Sequence, residues 1–199
     1  MKKVVVLFSG GVESTALLVH YALRNYTVYP LYVRFGLPWE DYEKEVAKKV
    51  LNILRRRLGG ILNLKVDIAK APLKRFKNFP SSEEELELPL RNLILCTRGA
   101  IYAYKKGADR CAIGSLGIYP FPDNKREYFD KLEELISSGL GKSFFIETPF
   151  YGMGKDEVIK KYGRYIPLDI TLSCINPVNG KPCGKCIKCR EREEATKLL

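Results

Sequence analysis

The first segment able to do chemistry is a hydroxyl- and glycine-rich stretch behind the first apolar run. It consists of Ser9-Gly10-Gly11-Val12-Glu13-Ser14-Thr15, and we expect it to join a buried strand to a helix. Free backbone N–H groups and the helix dipole favour an anion at such a position. The glycines would let the backbone approach a phosphate closely, and the hydroxyl groups of Ser9, Ser14 and Thr15 would add hydrogen-bond donors. An ordinary tight turn, with Ser14 near the helix cap, is the alternative.

A second candidate site lies near the end of the chain, where four of the six cysteines are close together. Cys174, Cys183, Cys186 and Cys189 have the spacing C-x8-C-x2-C-x2-C. Two overlapping C-x2-C turns can direct three thiolates at one point, and a fourth can complete a tetrahedron, so we predict one structural zinc ion per chain. With four cysteines used, no coordination position is left for water, and we expect no direct catalysis by the metal. An iron–sulfur cluster is the alternative for four thiolates.

The chain has the size and composition of one globular domain. Of its 199 residues, 46% are hydrophobic and 29% are charged, so a packed core is expected. It contains no run of about 18 uncharged apolar residues, and we expect neither a membrane span nor a signal peptide. Clustered cysteines without an export signal favour a reducing cytoplasm. The net charge of +11 is compatible with an anionic partner such as a nucleotide, a phosphate or RNA.

Strands and helices that would position these residues alternate along the chain. Hydrophobic periodicity predicts strands at 3–8, 26–33, 61–68, 110–113 and 143–147. It predicts helices at 14–25, 41–58, 92–106, 124–138, 155–161 and 190–198. This order predicts a mostly parallel sheet with helices on both faces. Residues 69–89 form a long irregular segment that is either a lid or a solvated connection.

The stretch from Ser9 to Thr15, here called the first loop, resembles the Ser-Gly-Gly-x-Asp-Ser signature of the PP-loop ATP pyrophosphatases, with Glu13 in place of the aspartate. The first loop has neither the Gly-x-x-x-x-Gly-Lys-Ser/Thr pattern of P-loop enzymes, which are a different class, nor the Gly-x-Gly-x-x-Gly pattern of dinucleotide-binding folds. Members of the PP-loop superfamily split ATP into AMP and pyrophosphate while adenylating a substrate oxygen. The resemblance implies ATP with Mg²⁺ as substrate and a Rossmann-like, adenine nucleotide alpha hydrolase-like α/β domain at 1–168, with the metal-binding tail and final helix at 169–199. The ATP-binding residues that it implies are Phe8, Ser9, Gly10, Gly11, Val12, Glu13, Ser14, Thr15, Val33 and Gly114.

One PP-loop branch carries both the loop and the cysteine tail: the 7-cyano-7-deazaguanine synthases, which act in queuosine and archaeosine precursor synthesis. The similarity covers most of the chain. Pro89-Leu90-Arg91-Asn92 resembles the family's Pro-Gly-Arg-Asn, and Tyr119-Pro120-Phe121-Pro122-Asp123 resembles its Gly-Tyr-Pro-Asp. Glu147-Thr148-Pro149-Phe150, followed by Lys155, is similar to its Thr-Pro-Leu and Lys-x-Glu. The resemblance implies an open five-stranded parallel sheet and a homodimer.

The resemblance also implies a reaction. A deazapurine carboxylate, 7-carboxy-7-deazaguanine, would react with ammonia and ATP through an acyl-adenylate and an amide to a nitrile. Attaching AMP turns a carboxylate oxygen into a good leaving group, provided the new negative charge is neutralised. Arg91 and Lys155 are the catalytic candidates, and Arg91, Asn92 and Asp123 the substrate-binding ones. The alternatives are surface roles for Arg91 and Lys155 and a capping role for Asn92.

The chain departs from the family pattern after the second predicted strand. In place of Tyr-Gly-Gln and a following histidine it has Arg34-Phe35-Gly36-Leu37-Pro38-Trp39, in which Trp39 either stacks on a base or packs in the core. A second hypothesis is therefore a tRNA-modifying PP-loop enzyme that adenylates a base or transfers sulfur through Cys96 and Cys111. Both cysteines fall in apolar segments, which favours buried inert thiols. A third is a non-catalytic zinc module that binds nucleic acid, a partner that we do not favour.

Overall fold

A computed structural model of the chain describes residues 1–69, 85, 87–171 and 174–197. The strands among them are β1 (Lys3–Leu7), β2 (Thr27–Arg34), β3 (Lys65–Ile68), β4 (Arg110–Ala112) and β5 (Phe145–Glu147). They form one sheet in the order β3-β2-β1-β4-β5, and every neighbouring pair is parallel. The predicted open five-stranded parallel sheet is confirmed.

Helices cover both faces of the sheet. Among the described residues they are α1 (Val12–Ala22), α2 (Glu40–Arg57), α3 (Arg91–Lys106), α4 (Arg126–Leu140), α5 (Lys155–Tyr162) and α6 (Ile187–Lys197). Side chains alternate across the central strand β1, so that Val4 and Val6 pack with α1, α2 and α5, while Val5 and Leu7 pack with α3 and α4. None of the described helices is both long and apolar enough to cross a membrane.

The observed elements match the predicted ones, with shifted ends. The helix α1 begins at Val12, with Gly11 as its N-cap, so Ser14 lies in the first turn, three residues after the cap. The third strand is shorter than predicted, since Ile61 makes only an isolated bridge to Val28. The last helix, α6, starts at Ile187, because the backbone N–H groups of Cys189 and Arg190 bond to the carbonyl of Cys186. Most of the predicted irregular segment 69–89 lies outside the described residues.

The sole histidine, His20 on α1, packs against α5. Its side chain is half-buried, and its Nδ1 lies 2.7 Å from the hydroxyl oxygen of Tyr162 on α5. Burial lowers the pKa of His20 to about 4, with smaller contributions from Arg24 and Lys161. His20 is therefore a neutral packing residue at physiological pH.

The sheet has a topological switch point beside β1, where the chain stops adding strands on one side of β1 and continues on the other. Strands β2 and β3 follow on one side of β1, whereas β4 and β5 lie on the other side. The loops after β1 and β4 diverge there, which leaves a crevice at the carboxyl ends of the strands where open α/β sheets bind ligands. The first loop follows β1 and lies at this crevice.

Candidate active site

A cleft of about 350 Å³ opens at this crevice. It is lined by residues from the loops after β1, β2 and β4, from the start of α3, and from α5 and α6. Most of the residues that the sequence analysis assigned to ATP or substrate line it together: Phe8, Ser9, Gly11, Glu13, Ser14, Val33, Arg91, Asn92, Gly114, Asp123 and Lys155. Gly10, Val12 and Thr15 do not line the cleft. The side chains of Val12 and Thr15 are fully buried behind the loop.

The first loop is held in shape by its own hydroxyl groups. Ser14 Oγ donates to the carbonyl of Gly11 over 3.1 Å and accepts the N–H of Ser9 over 3.3 Å. The hydroxyl of Thr15 donates to the same Gly11 carbonyl over 2.7 Å. Since the first N–H groups of a helix have no partner within it, the start of α1 offers donors to an anion in the cleft. Gly10, with φ of +85°, approaches Ala47 too closely for a side chain to fit.

The loop after β4 touches the first loop at Gly114. A Cβ placed on Gly114 would lie 3.2 Å from the Glu13 backbone carbon and 3.3 Å from the Ser14 nitrogen. We therefore expect Gly114→Ala to displace the first loop, weakening ATP binding about tenfold and lowering the free energy of unfolding by about 1–3 kcal/mol. Calorimetric titration with ATP and denaturant unfolding measure the two effects. Gly59→Ala is the matched control, since its added Cβ meets nothing within 4 Å; equal ATP affinities in the two variants would contradict the expectation.

A network of charged side chains forms one wall of the cleft. Lys155 Nζ, at the start of α5, lies 3.1 Å from Glu13 Oε1 and 3.3 Å from Glu191 Oε2. The other oxygen of Glu191 lies 2.8 Å from Lys188 Nζ. Tyr119 donates its hydroxyl to Glu191 over 3.0 Å. Burial alone would lower the pKa of Lys155, but Glu13 and Glu191 outweigh it and the pKa is raised. Lys155 is therefore a permanent cation beside the first loop.

The start of α3 is tied to the loop after β4. The backbone N–H of Asn92 donates to Asp123 Oδ2 over 2.9 Å, and the Asn92 side-chain amide donates to the Asp123 carbonyl over 2.9 Å. The helix begins at Arg91, so Asn92 does not cap it and that alternative is wrong; the Asp123 carboxylate accepts the free N–H instead. The Arg91 guanidinium is exposed and lies 5.9 Å from the ring centre of Phe35.

Two glutamates near the start of α2 face the cleft, and the sequence analysis missed both. Glu40 is 1% exposed and accepts the backbone N–H groups of Phe35 and Gly36, so it shapes the loop that departs from the family pattern. Trp39, which precedes it, is 7% exposed and packs in the core, while also lining the cleft. Glu43 accepts the Tyr32 hydroxyl over 2.7 Å. Their signal in the sequence was the acidic first turn of α2.

Glu43 gives the stability of the protein a pH dependence. Burial raises the pKa of Glu43 from 4.5 to about 7, opposed by the Tyr32 hydrogen bond and by Arg91 and supported by Glu40. Between these two pH values the unfolded chain loses the proton and the folded chain keeps it, so the free energy of unfolding falls as pH rises. The glutamine of Glu43→Gln is neutral at every pH. We therefore expect the free energy of unfolding of this variant to rise by about 2–3 kcal/mol relative to that of the wild type between pH 4.5 and 8.

Denaturant unfolding across this pH range measures that gain. The matched control is Glu45→Gln, because Glu45 lies on the same helix, is exposed and is paired with Lys48 Nζ at 2.9 Å. The pKa of Glu45 is lowered, chiefly by that hydrogen bond, so its removal brings no gain as pH rises. Parallel stability curves for Glu43→Gln and the wild type would show that the Glu43 pKa is not raised.

The four tail cysteines converge. Their sulfur atoms lie within 4.8 Å of one another, and Cys174 Sγ is 3.6 Å from Cys183 Sγ and 4.0 Å from Cys186 Sγ. A tetrahedral zinc site with bonds of about 2.3 Å has its sulfurs about 3.8 Å apart, so these four fit a metal ion. The turn Asn179-Gly180 closes the connecting loop, since Val178 and Lys181 exchange two backbone hydrogen bonds of 2.9 Å.

Backbone groups favour the thiolate form of Cys183, whereas burial raises the pKa of Cys174 and that of Cys189. The N–H groups of Lys185 and Cys186 donate to Cys183 Sγ over 3.4 and 3.3 Å, and that of Cys183 donates to Cys174 Sγ over 3.3 Å. Burial acts to raise the pKa of Cys183, but these N–H groups outweigh it and lower the pKa to about 7. Because the thiolate is the form that binds metal, the donors around the cysteines also fit a metal site.

Comparison with known proteins identifies the family. The sequence model of "Queuosine biosynthesis protein QueC" matches residues 3–199. The chain is 32% identical over 210 residues to 7-cyano-7-deazaguanine synthase 1 of Desulfitobacterium hafniense (strain Y51), covering 98% of this chain and 92% of that protein. The chain belongs to the QueC family. The prediction of an enzyme of this family, made from the first loop and the cysteine tail, is thereby confirmed.

Solved structures share the fold of this QueC-family chain. A 4-thiouridine synthetase solved with RNA and bound ATP is 18% identical, with a TM-score of 0.56, covering 98% of this chain and 50% of that one. The U34-tRNA thiolase NcsA from Methanococcus maripaludis, solved with its 4Fe-4S cluster, is 17% identical, with a TM-score of 0.54, covering 99% of this chain and 65% of that one. At these identities the likeness establishes the fold alone.

Proposed function

We propose that this QueC-family chain uses ATP and Mg²⁺ to activate the carboxylate of 7-carboxy-7-deazaguanine and converts it with ammonia to 7-cyano-7-deazaguanine. The observation that carries the proposal is a single cleft in which the first loop lies with Arg91 and Lys155. The family and the curated synthase from Desulfitobacterium hafniense support the choice of substrate.

The proposed chemistry requires negative charge to be neutralised at each step. A carboxylate oxygen attacks the α-phosphorus of ATP, the bond to the β-phosphate oxygen breaks and pyrophosphate leaves. Ammonia then attacks the acyl carbon, AMP leaves with its electron pair, and loss of a proton gives the amide. The amide oxygen then attacks the α-phosphorus of a second ATP and pyrophosphate leaves; loss of AMP, which carries the former amide oxygen, and of both N–H protons gives the nitrile. Each leaving phosphate carries charge that nearby cations stabilise.

In this scheme the cleft residues divide the work. The N–H groups at the start of α1 and the hydroxyls of Ser9 and Ser14 hold the polyphosphate, while Lys155 neutralises the charge that develops on pyrophosphate. Arg91, beside the Phe35 ring, is the cation that we assign to the substrate carboxylate. Asn92 and Asp123 fix the start of α3 relative to the loop after β4, and we assign them to the substrate side of the cleft.

We assign zinc to the four-cysteine cluster. When bound, it would supply no chemistry to the reaction, because four thiolates leave no open position for water or substrate. Cys174, Cys183, Cys186 and Cys189 would hold it and so fix the start of α6, which packs on α5. Elemental analysis of the purified protein should find about one zinc per chain, whereas iron, or zinc below about half an equivalent, would refute the assignment.

Sulfur transfer is less well supported than adenylation. Cys96 and Cys111 are both 0% exposed, and Cys111 Sγ lies 4.0 Å from the Cys96 carbonyl oxygen. A hydrogen bond with Cys96 and burial raise the pKa of Cys111 well above its ordinary value. A buried, protonated thiol is a poor sulfur carrier. A non-catalytic nucleic-acid-binding module leaves the charged cleft without a role.

The proposal is tested by mass spectrometry of the products formed from ATP, Mg²⁺, ammonium and 7-carboxy-7-deazaguanine. We expect the nitrile together with AMP and pyrophosphate. ATP binding without any nitrile would overturn the substrate assignment and favour another carboxylate or a tRNA base. Affinity for tRNA that falls steeply with salt concentration would then identify the protein as a tRNA-modifying PP-loop enzyme.

A further inference from the structure

The metal-binding segment carries a lysine side chain into the nucleotide cleft. Lys188 stands between Cys186 and Cys189 in the first turn of α6, and it lines the cleft together with Lys155. Lys188 Nζ lies 3.1 Å from the Tyr119 hydroxyl and 4.1 Å from the centre of the Tyr119 ring. The cysteine segment is therefore part of the wall of the nucleotide cleft.

One carboxylate, that of Glu191, holds the two lysines together. Its Oε1 lies 2.8 Å from Lys188 Nζ and its Oε2 lies 3.3 Å from Lys155 Nζ. Lys155 also lies 3.1 Å from Glu13, which belongs to the first loop. The side chains of Lys155 and Lys188 are only 11% and 21% exposed. Two shielded ammonium groups thus share one anionic group next to the loop assigned to the polyphosphate.

We propose that Lys188 is a second polyphosphate-binding lysine of this site, and that a phosphate group of ATP replaces the Glu191 carboxylate between Lys188 and Lys155. The inference rests on the proposed use of ATP. A phosphate, like a carboxylate, presents two oxygens on one central atom, so each ammonium group can donate to one of them. Lysine binds phosphate as a mobile point charge, which suits an exchange of partners.

The charges in the network support this exchange. Lys155 and Lys188 carry two positive charges, and Glu13 and Glu191 carry two negative ones, so the four side chains sum to zero. A nucleotide that entered while Glu191 remained between the lysines would meet a carboxylate at close range, which is repulsive. The first turn of α6 is anchored by Cys186 and Cys189, so the side chains can change partners while the backbone stays in place.

The test compares Lys188→Met with Lys185→Met, using ATP and adenosine as probes. Lys185 lies on the same segment and is exposed, so its substitution removes the same charge outside the cleft. We expect Lys188→Met to bind ATP about tenfold more weakly, because one charge-assisted hydrogen bond is lost, and to bind adenosine as the wild type does. Lys185→Met should bind both as the wild type does. Metal content per chain, measured in both variants, should equal that of the wild type.

A second variant separates phosphate binding from a structural ion pair. Glu191→Gln frees both lysines, so it should bind ATP at least as tightly as the wild type. If Lys188 only holds Glu191 in place, Glu191→Gln will weaken ATP binding as Lys188→Met does, and the inference fails. It fails equally if Lys188→Met binds ATP as the wild type does, or if it weakens adenosine to the same extent. A wild-type chain without affinity for ATP overturns the proposed function, and the inference with it.

Discussion

Lys155→Met should slow nitrile formation by about 100- to 1,000-fold while the chain remains folded. Lys155 Nζ is held 3.1 Å from Glu13 of the first loop, and the neighbouring carboxylates raise its pKa, so at neutral pH it carries a full charge beside the loop that we propose binds the pyrophosphate. Methionine keeps most of the length of the side chain and removes the charge. Timed quantification of AMP and nitrile by mass spectrometry measures the loss, and far-UV circular dichroism checks the fold.

Lys160→Met is the matched control for this variant. Lys160 lies on the same helix, α5, is exposed to solvent and does not line the cleft. It should keep the wild-type rate. A Lys155→Met protein that retains more than about a tenth of the wild-type rate would contradict a catalytic role for Lys155.

Cys186→Ser should release the metal and, with it, the nucleotide. Cys186 is one of four converging cysteines, and its carbonyl accepts the N–H groups of Cys189 and Arg190 at the start of α6. Without the proposed metal the first turn of α6 would lose its anchor, so Lys188 would lose its position in the cleft and Glu191 its position between the two lysines. We expect a melting temperature lower by about 5 °C or more and ATP binding weaker by at least about tenfold.

Elemental analysis, thermal unfolding and calorimetric titration with ATP measure these three effects. Cys96→Ala is the control, since Cys96 is a buried residue of α3 and is not part of the cluster. It should keep its metal and its ATP affinity even if it unfolds at a lower temperature. A Cys186→Ser protein that loses its metal and still binds ATP like the wild type would show that the cluster does not position the cleft.

The fold followed from local patterns in the sequence. The run Val4 to Leu7 is apolar at every position, which predicts a strand buried on both faces, and all four side chains are buried. Alternation of such runs with amphipathic helices is sufficient to predict a parallel sheet. The ends of elements were less accurate, because α1 and α6 begin inside segments whose glycine and cysteine residues suggested loops.

The candidate site was predicted in part. Loop and helix-start residues such as Ser9, Ser14 and Lys155 carried local motifs, and the structure brings them to one cleft. The sequence does not show that Lys188 and Glu191 belong to this site, since their partners Lys155 and Tyr119 are 36 to 72 residues away. Glu43 on α2 accepts a hydrogen bond from Tyr32 on β2, and only the packed structure shows that its carboxyl group faces the cleft.

The contact of α6 with the first loop, through Lys155, joins residues that lie far apart in the sequence, since Glu13 and Glu191 both pair with Lys155. Closing so long a loop costs conformational entropy, so we expect this wall of the cleft to form after the local contacts of the sheet and its helices. A folding intermediate that has assembled the sheet would therefore still lack the finished pocket.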